Sequence, residues 1–344
     1  MTDGSKIEWT DATWNPATGC TKVSPGCDHC YAETFAERFR DVPGHHFENG
    51  FDVTLRPERL EAPLRWRTPR RIFVNSMSDL FHDAVPNDFI ANVFAVMAMA
   101  SQHTFQVLTK RHGRMCSLLS SSAFWRQVGD HGRRIAIARV HGKYKAAGPM
   151  ALADGSSAAG YWEAANPLPN VWLGVSVEDQ KWADIRVPAL LDTPAAVRWL
   201  SCEPLLGEVD LTNYLWLVGA STAGPWTDGS NKRRVTDGRG RPLPRGAGGM
   251  SISHIPSGDL HWCVIGGESG PGARPMELDW ARLLLEQCQE TGVAPFVKQL
   301  GACWARLPGV GKPDPKGGNW DFWPEDLRVR EYPKVAVTPE AVTV

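Results

Sequence analysis

The chain contains no apolar run near the ~18 residues needed to cross a bilayer, and its start, Met1 to Glu8, is polar. Neither a membrane span nor a secretory signal is expected, and the chain reads as cytoplasmic. Its net charge is only −1, so a protein-wide footprint for nucleic acid is absent. No G-x-x-x-x-G-K-[ST] loop occurs, which removes the P-loop chemistries. H-E-x-x-H is missing, and so is the G-x-S-x-G elbow on which a hydrolase triad would be anchored. No internal repeat is found. His45-His46 and His82-Asp83 are isolated and read as structural or exposed.

What is present is a chain of 344 residues, 42% apolar and 22% charged. That composition supports one large α/β domain or two small ones and excludes wholesale disorder, collagen and coiled coil. The charge is uneven. Between Lys110 and Lys145 nine Lys or Arg face one acid, Asp130, so this segment carries +8 and the remainder −9. Fifteen tryptophans are many for this length and read mainly as core anchors, with a few available for base stacking.

Short apolar runs predict six strands: Arg71 to Asn75, Thr104 to Leu108, Val171 to Val177, Val197 to Ser201, His261 to Ile265 and Pro295 to Lys298. Helical periodicity lies between them, at Asp88 to Ala100, Trp182 to Leu191 and Asp279 to Thr291, with Asp279 as N-cap and Gly292 as C-terminal cap. Alternation of this kind implies a parallel sheet with functional residues at the carboxyl ends of its strands. Six units fall short of an eight-unit barrel. Ser120 to Pro169 and Thr222 to Gly258 break the rhythm and read as long loops. The tail after Pro308 is expected to wrap the surface. The expected organisation is a domain over 1–307, with insertions near 120–169 and 222–258, and an extension over 308–344.

Eight cysteines in a cytoplasmic setting are not a disulfide framework. Cys20, Cys27 and Cys30 follow a C-x6-C-x2-C spacing, and Pro25-Gly26 turns the chain so that the thiolates can converge. A helix is predicted just after Cys30, through Ala36 to Arg40. Three soft ligands on one loop suit an iron–sulfur cluster or a zinc ion. A 4Fe–4S cluster held by three cysteines keeps one iron open. For zinc, His29 or a distant residue would be the fourth ligand. Cys202, Cys263 and Cys288 read as core residues.

Asn15-Pro-Ala-Thr-Gly-Cys20 and Gly26-Cys-Asp-His-Cys-Tyr-Ala-Glu33 resemble the cluster loop of radical SAM enzymes, closest to the branch containing spore photoproduct lyase. The blocks at Asn15–Glu33, Val74–His82, Leu108–Arg111, Pro169–Asp184, Ser201–Leu206, Ile265–Pro275 and Phe296–Gly301 resemble a phage-associated three-cysteine family of uncharacterised proteins. The usual radical SAM spacing is C-x3-C-x2-C, so the first gap here is three residues longer. His29 stands where an aromatic usually precedes the third cysteine.

The resemblance implies a partial (β/α)6 barrel of the TIM type. It implies a 4Fe–4S cluster on Cys20, Cys27 and Cys30 that binds S-adenosylmethionine and cleaves it reductively to a 5′-deoxyadenosyl radical. A reductant protein such as flavodoxin would supply the electron. It places His29 and Tyr31 beside the cosubstrate. Ser76, Ser78 and Asp79 fall where the superfamily holds the methionyl amino group. Lys110 is a candidate for a carboxylate; Ser176 and Glu178 for the ribose or a carboxylate; Glu203 for the pocket wall. Gly266-Gly267-Glu268 resembles the superfamily's Gly-Gly-Glu but follows a late strand, so Gly266 and Gly267 read as a backbone approach to adenine or substrate. Glu268, Arg274, Lys298 and Gln299 are substrate candidates.

Three functions follow as expectations. One is a radical SAM enzyme acting on a nucleobase, nucleotide or nucleic acid, suggested by the basic stretches Lys110–Lys145, with Trp125 and Tyr144, and Lys232–Arg245. The second acts on a peptide or small metabolite. The third is a non-enzymatic zinc module that binds nucleic acid. Oligomeric state is not legible.

Overall fold

The computed structural model describes residues 5–141, 167–215, 260–308, 310 and 314–334. The chain opens with β1 (Ala12–Trp14) and β2 (Ala17–Thr18), then helix α1 (Tyr31–Glu37), β3 (Thr54–Leu55) and β4 (Arg71–Val74). Next come α2 (Asn87–Met99), β5 (Thr104–Thr109), α3 (His112–Leu119), α4 (Ser122–Val140) and β6 (Val171–Ser176). α5 (Gln180–Leu191), β7 (Val197–Cys202), β8 (Trp262–Gly266), α6 (Leu278–Thr291), β9 (Ala294–Gln299) and α7 (Ala302–Ala305) complete it.

Seven strands form one sheet in the order β1-β4-β5-β6-β7-β8-β9, every neighbouring pair parallel. Spatial order follows chain order, so each successive unit adds a strand on the same side. The sheet curls into a half-barrel, a partial TIM-type architecture. β2 and β3 make a separate antiparallel pair. β6 and β7 are buried along their whole length, as strands covered on both faces must be.

The two faces differ. The helices pack on the outer face, where Ile72, Val107, Leu173, Val175, Leu200, Cys263, Ile265 and Val297 belong to the main core. On the inner face Phe73, Trp172, Trp199, Trp262, Val264 and Phe296 form a second cluster around Trp9. Trp9 meets Phe73, Trp199 and Trp262 edge-on at 4.7, 5.4 and 5.8 Å between ring centroids. Gly174 makes room for this floor: a Cβ there would lie 2.4 Å from the Trp199 indole.

Among the described residues the half-barrel therefore has seven strands where six were expected. β1 escaped because it spans three residues, too few for a period to show. Its register is held from outside the strand, by Asp11 accepting from the Arg71 backbone N–H at 2.8 Å and from its guanidinium at 2.9 and 3.2 Å. The stretch from Ser120, expected as a loop, contains the 19-residue helix α4. Gly129, Gly132 and four arginines disguise it, while Phe124, Trp125, Val128 and Ile135 bury its apolar side and the helix packs on α2. Trp125 is consequently a core residue, edge-on to Phe94 at 6.0 Å, and is not available to stack on a base. Tyr144 and the 222–258 insertion lie outside the described residues.

The tail does more than wrap the surface. Trp323 and Leu327 enter the core, Arg330 bridges to Phe296, and Tyr332 stacks on Trp262 at 5.6 Å. At the helix ends, Asp179 caps α5 by accepting from Trp182 N at 3.1 Å. Gly292 ends α6 at φ 75°, as expected. Asp279 lies within the first turn of α6 and Glu277 takes the N-cap position.

Candidate metal and cosubstrate site

The three-cysteine loop follows β2 and lies across the carboxyl end of the sheet. Its entry is tight. Gly19 has φ 86°, and a Cβ there would sit 2.2 Å from the Asp52 carbonyl oxygen, so only glycine fits. Its N–H donates to Met77 O at 2.9 Å, and Cys20 N donates to Phe51 O at 3.1 Å. Asn15 accepts from Met77 N at 3.0 Å and exchanges bonds with the Ser76 hydroxyl. Ser78 donates to Ala17 O at 2.8 Å, and Tyr31 donates to Ser76 O at 2.5 Å. Ser76 and Ser78 thus tie the loop after β4 to the loop after β1. Pro25–Cys27 form one 3-10 turn, and α1 begins at Tyr31, straight after Cys30.

The cysteine thiols are free and partly exposed. Cys20 and Cys30 rest on Ala32, Ala36, Phe47 and Phe51, beside Phe39 and Met77. Burial, reinforced by nearby Asp79, pushes the Cys20 thiol up to about 11. Burial likewise raises Cys30. Without a bound cation these two sulfurs stay protonated at neutral pH; a metal would deprotonate them on binding.

Three ionic clamps hold the loop, each built on a carboxylate beyond a strand end. The first is Asp79, after β4. It accepts from Thr109 Oγ1 at 2.7 Å, Lys110 N and Phe81 N at 3.0 Å, and Arg111 Nη1 at 3.3 Å. Arg111 in turn reaches Cys20 Sγ at 3.3 Å, Thr21 O at 3.1 Å and Thr21 Oγ1 at 2.9 Å. His82 Nε2 also meets Thr21 Oγ1, at 2.9 Å.

The second clamp is Glu178, after β6, wholly buried with Arg186 of α5. Arg186 Nη1 donates to Glu178 Oε2 at 2.7 Å and to Ser176 O at 2.8 Å. Lys110 Nζ lies 3.1 Å from Oε1, and Ser24 Oγ donates to the same oxygen at 2.8 Å. Burial alone would raise the Glu178 carboxyl, but Lys110 and Arg186 outweigh it and hold it below the usual range. Gly26 lies directly against this carboxylate: a Cβ there would be 2.5 Å from Oε1.

The third clamp is Glu268, after β8. Arg274 donates to it through its backbone N–H at 2.7 Å and its guanidinium at 2.6 and 3.0 Å, and His29 Nδ1 lies 3.0 Å away. Arg274 also reaches Pro25 O at 2.8 Å and Asp28 at 3.2 Å. Here too burial would raise the acid, and the Arg274 bonds pull it down instead.

The structure therefore gathers Asp79, Lys110, Glu178, Glu268, Arg274 and His29 around the cysteine loop. The carboxylates read as ligand contacts already accept bonds from this chain. Glu203 and Lys298 form a separate half-buried pair at 2.5 Å across the ends of β7 and β9. Gly266 lies beside that pair, with room for a Cβ only at 3.4 Å from Glu203. Gly267 abuts the Leu300 carbonyl, and Gln299 Nε2 donates to Gly267 O at 2.9 Å. Ser176 is buried below Glu178.

Arg111, Arg186 and Ser24 were not singled out in the sequence, and His82, read there as isolated, is buried against Thr21. Arg111 had a signal, since it directly follows Lys110 at a strand end. Arg186 had none, for a charged residue inside α5 reads as solvent-facing. Cys202 and Cys263, distant in sequence, bring their sulfurs within 3.8 Å in the core.

Among the described residues no three His, Cys, Asp or Glu side chains converge on a point that could hold a single metal ion. A zinc ion needs all its sulfurs ~2.3 Å from one centre, whereas a multi-iron cluster places its cysteines around a larger body. Beneath the loop lie Lys110, Arg111 and Arg186, and Arg186 keeps buried Nε and Nη2 donors with no partner. Three thiols beside Lys110 and Arg111 are compatible in charge with a negatively charged group, while Arg186 is fully buried with its guanidinium 4.0 Å over the Trp182 ring.

The fold and site together define a parallel half-barrel α/β protein with a thiol-bearing loop clamped over its mouth. A family profile described as "Protein of unknown function (DUF5131)" matches residues 4–322, and the chain belongs to that family. Neither a curated protein nor a solved structure matches it. No helix among the described residues is long and apolar enough to cross a membrane.

Proposed function

We propose that this protein is a radical SAM enzyme whose substrate is a nucleobase, nucleotide or nucleic acid. The observation that carries the reading is the placement of Cys20, Cys27 and Cys30 on one loop over the carboxyl end of a parallel half-barrel, above buried cations. A 4Fe–4S cluster held there, fed by a reductant such as flavodoxin, would supply reductive cleavage of S-adenosylmethionine to a hydrogen-abstracting 5′-deoxyadenosyl radical.

The chain's own part is to position and to exclude water. The clamps at Asp79, Glu178 and Glu268 fix the loop from three strand ends, which keeps the sulfurs in one arrangement. The aromatic floor around Trp9 fills the inner face of the half-barrel away from the cysteine loop. Glu203 and Lys298, paired across the ends of β7 and β9 and still partly exposed, are the groups there that could meet a polar substrate, whereas Gln299 is buried and donates to Gly267 O. The nucleic-acid reading draws on exposed Arg126 and Arg134 of α4. With Trp125 in the core, it rests on charge and not on stacking.

The test is anaerobic reconstitution with iron and sulfide, followed by reductant and S-adenosylmethionine. The expected result is a brown protein that releases 5′-deoxyadenosine, with release abolished in Cys27→Ala. Colourless protein carrying stoichiometric zinc would overturn the reading. Salt-sensitive binding to DNA or RNA supports the substrate class, and no binding at low salt removes it.

A further inference from the structure

The three sulfurs are not held alike. Arg111 approaches Cys20 Sγ at 3.3 Å with a guanidinium held at both Nη1 and Nη2. Asp79 Oδ2 takes Nη1 at 3.3 Å, and Thr21 takes Nη2 twice, at 3.1 and 2.9 Å. The Arg111 backbone N–H donates to Thr109 Oγ1 at 2.8 Å, and that hydroxyl donates to the same Asp79. The side chain is only 10% exposed. Cys30 instead receives backbone N–H groups of Ala32 and Glu33. Among the described residues no side-chain cation bonds Cys27 or Cys30.

We infer that Arg111 is a positioning residue that fixes Cys20 and biases the electron affinity of the metal group bound through it; this rests on the iron–sulfur reading above. A planar fork held at Asp79 and Thr21 has no freedom to turn away, so its N–H stays aimed at the sulfur. Hydrogen bonds and positive charge at cluster sulfurs stabilise the form carrying the extra electron. Arg111 therefore raises the midpoint potential, acting through Cys20 without touching substrate. Lysine keeps the charge but loses the fork; methionine and glutamine remove the charge.

The experiment compares wild type with Arg111→Met, Arg111→Gln and Arg111→Lys after anaerobic reconstitution. Iron per protein is measured, and the midpoint potential is followed by electron paramagnetic resonance. The expected result is a lower midpoint in Arg111→Met than in wild type, with Arg111→Lys in between. If Arg111→Met does not hold iron, Arg111→Gln is titrated in its place, and the same fall is expected. Loss of iron from both neutral variants, with unchanged circular dichroism and retention in Arg111→Lys, also supports the inference. A loaded neutral variant with the wild-type potential overturns it, as does iron loss from all three variants. Wild type that binds no iron overturns the underlying reading, so the two failures are distinguishable.

Discussion

The two ends of the half-barrel are built from the same strands and opposite chemistry. Toward the amino ends, Trp9, Phe73, Trp172, Trp199 and Trp262 interlock edge-on in a buried aromatic floor. At the carboxyl ends, Asp79, Glu178, Glu203 and Glu268 each meet a cation. The floor depends on shape and area; the mouth depends on partners, since each buried charge must be matched. The difference teaches where the chain invests in stability and where in a site. Apolar contacts tolerate being spread over many residues, whereas a charge clamp fails when one member is removed.

The comparison breaks most visibly at Trp199. Trp199→Ala removes a fully buried indole and opens a void facing Gly174. A loss of roughly 3–5 kcal/mol is expected, measured by urea denaturation. A loss below 1 kcal/mol would mean that the floor is not a shared core.

At the mouth, Glu178→Gln leaves the buried Arg186 uncompensated, and about 3 kcal/mol should be lost. Combining it with Arg186→Met should recover most of that stability. Ser24 loses its charged acceptor in both proteins, so, on the proposed iron–sulfur reading, iron retention should stay impaired even where stability returns. Full recovery of both would show that Glu178 serves the fold alone.

The smallest effect is expected at the exposed edge. The Arg71 bonds outweigh burial and hold Asp11 below its ordinary 3.8. A depressed carboxyl contributes stability above its unfolded value and loses it as pH falls through the folded one. Asp11→Asn should therefore cost about 0.5–1 kcal/mol at neutral pH, and the gap from wild type should close on acidification. A gap that widens in acid would assign the bond to something other than the carboxylate.

Much of this architecture was legible because period and burial coincide. The six apolar runs became β4 through β9, since strands buried on both faces must be apolar throughout. β1 was too short to carry a pattern, and α4 was hidden by glycines and arginines that matter only once α2 covers its other side. The cysteine loop announced itself by spacing. Its acids were visible as strand-end residues, and so were Lys110, Arg274 and Lys298, but which acid each one meets was not. Arg111, Arg186 and Arg274 each close a contact across many residues, or within a loop whose path no local signal predicts.

The sequence alone decided that the chain alternates strand and helix, that three thiols share one short loop, and that polar residues follow each strand. These are local properties, set by neighbours within a few residues. Only the tertiary structure decided that Asp79, Glu178 and Glu268 turn toward that loop and that Trp9, Trp125 and Trp323 go to floor, helix packing and tail. The reason is physical: a buried charge takes whichever partner the fold brings within reach, and that choice is made by the curvature of the sheet.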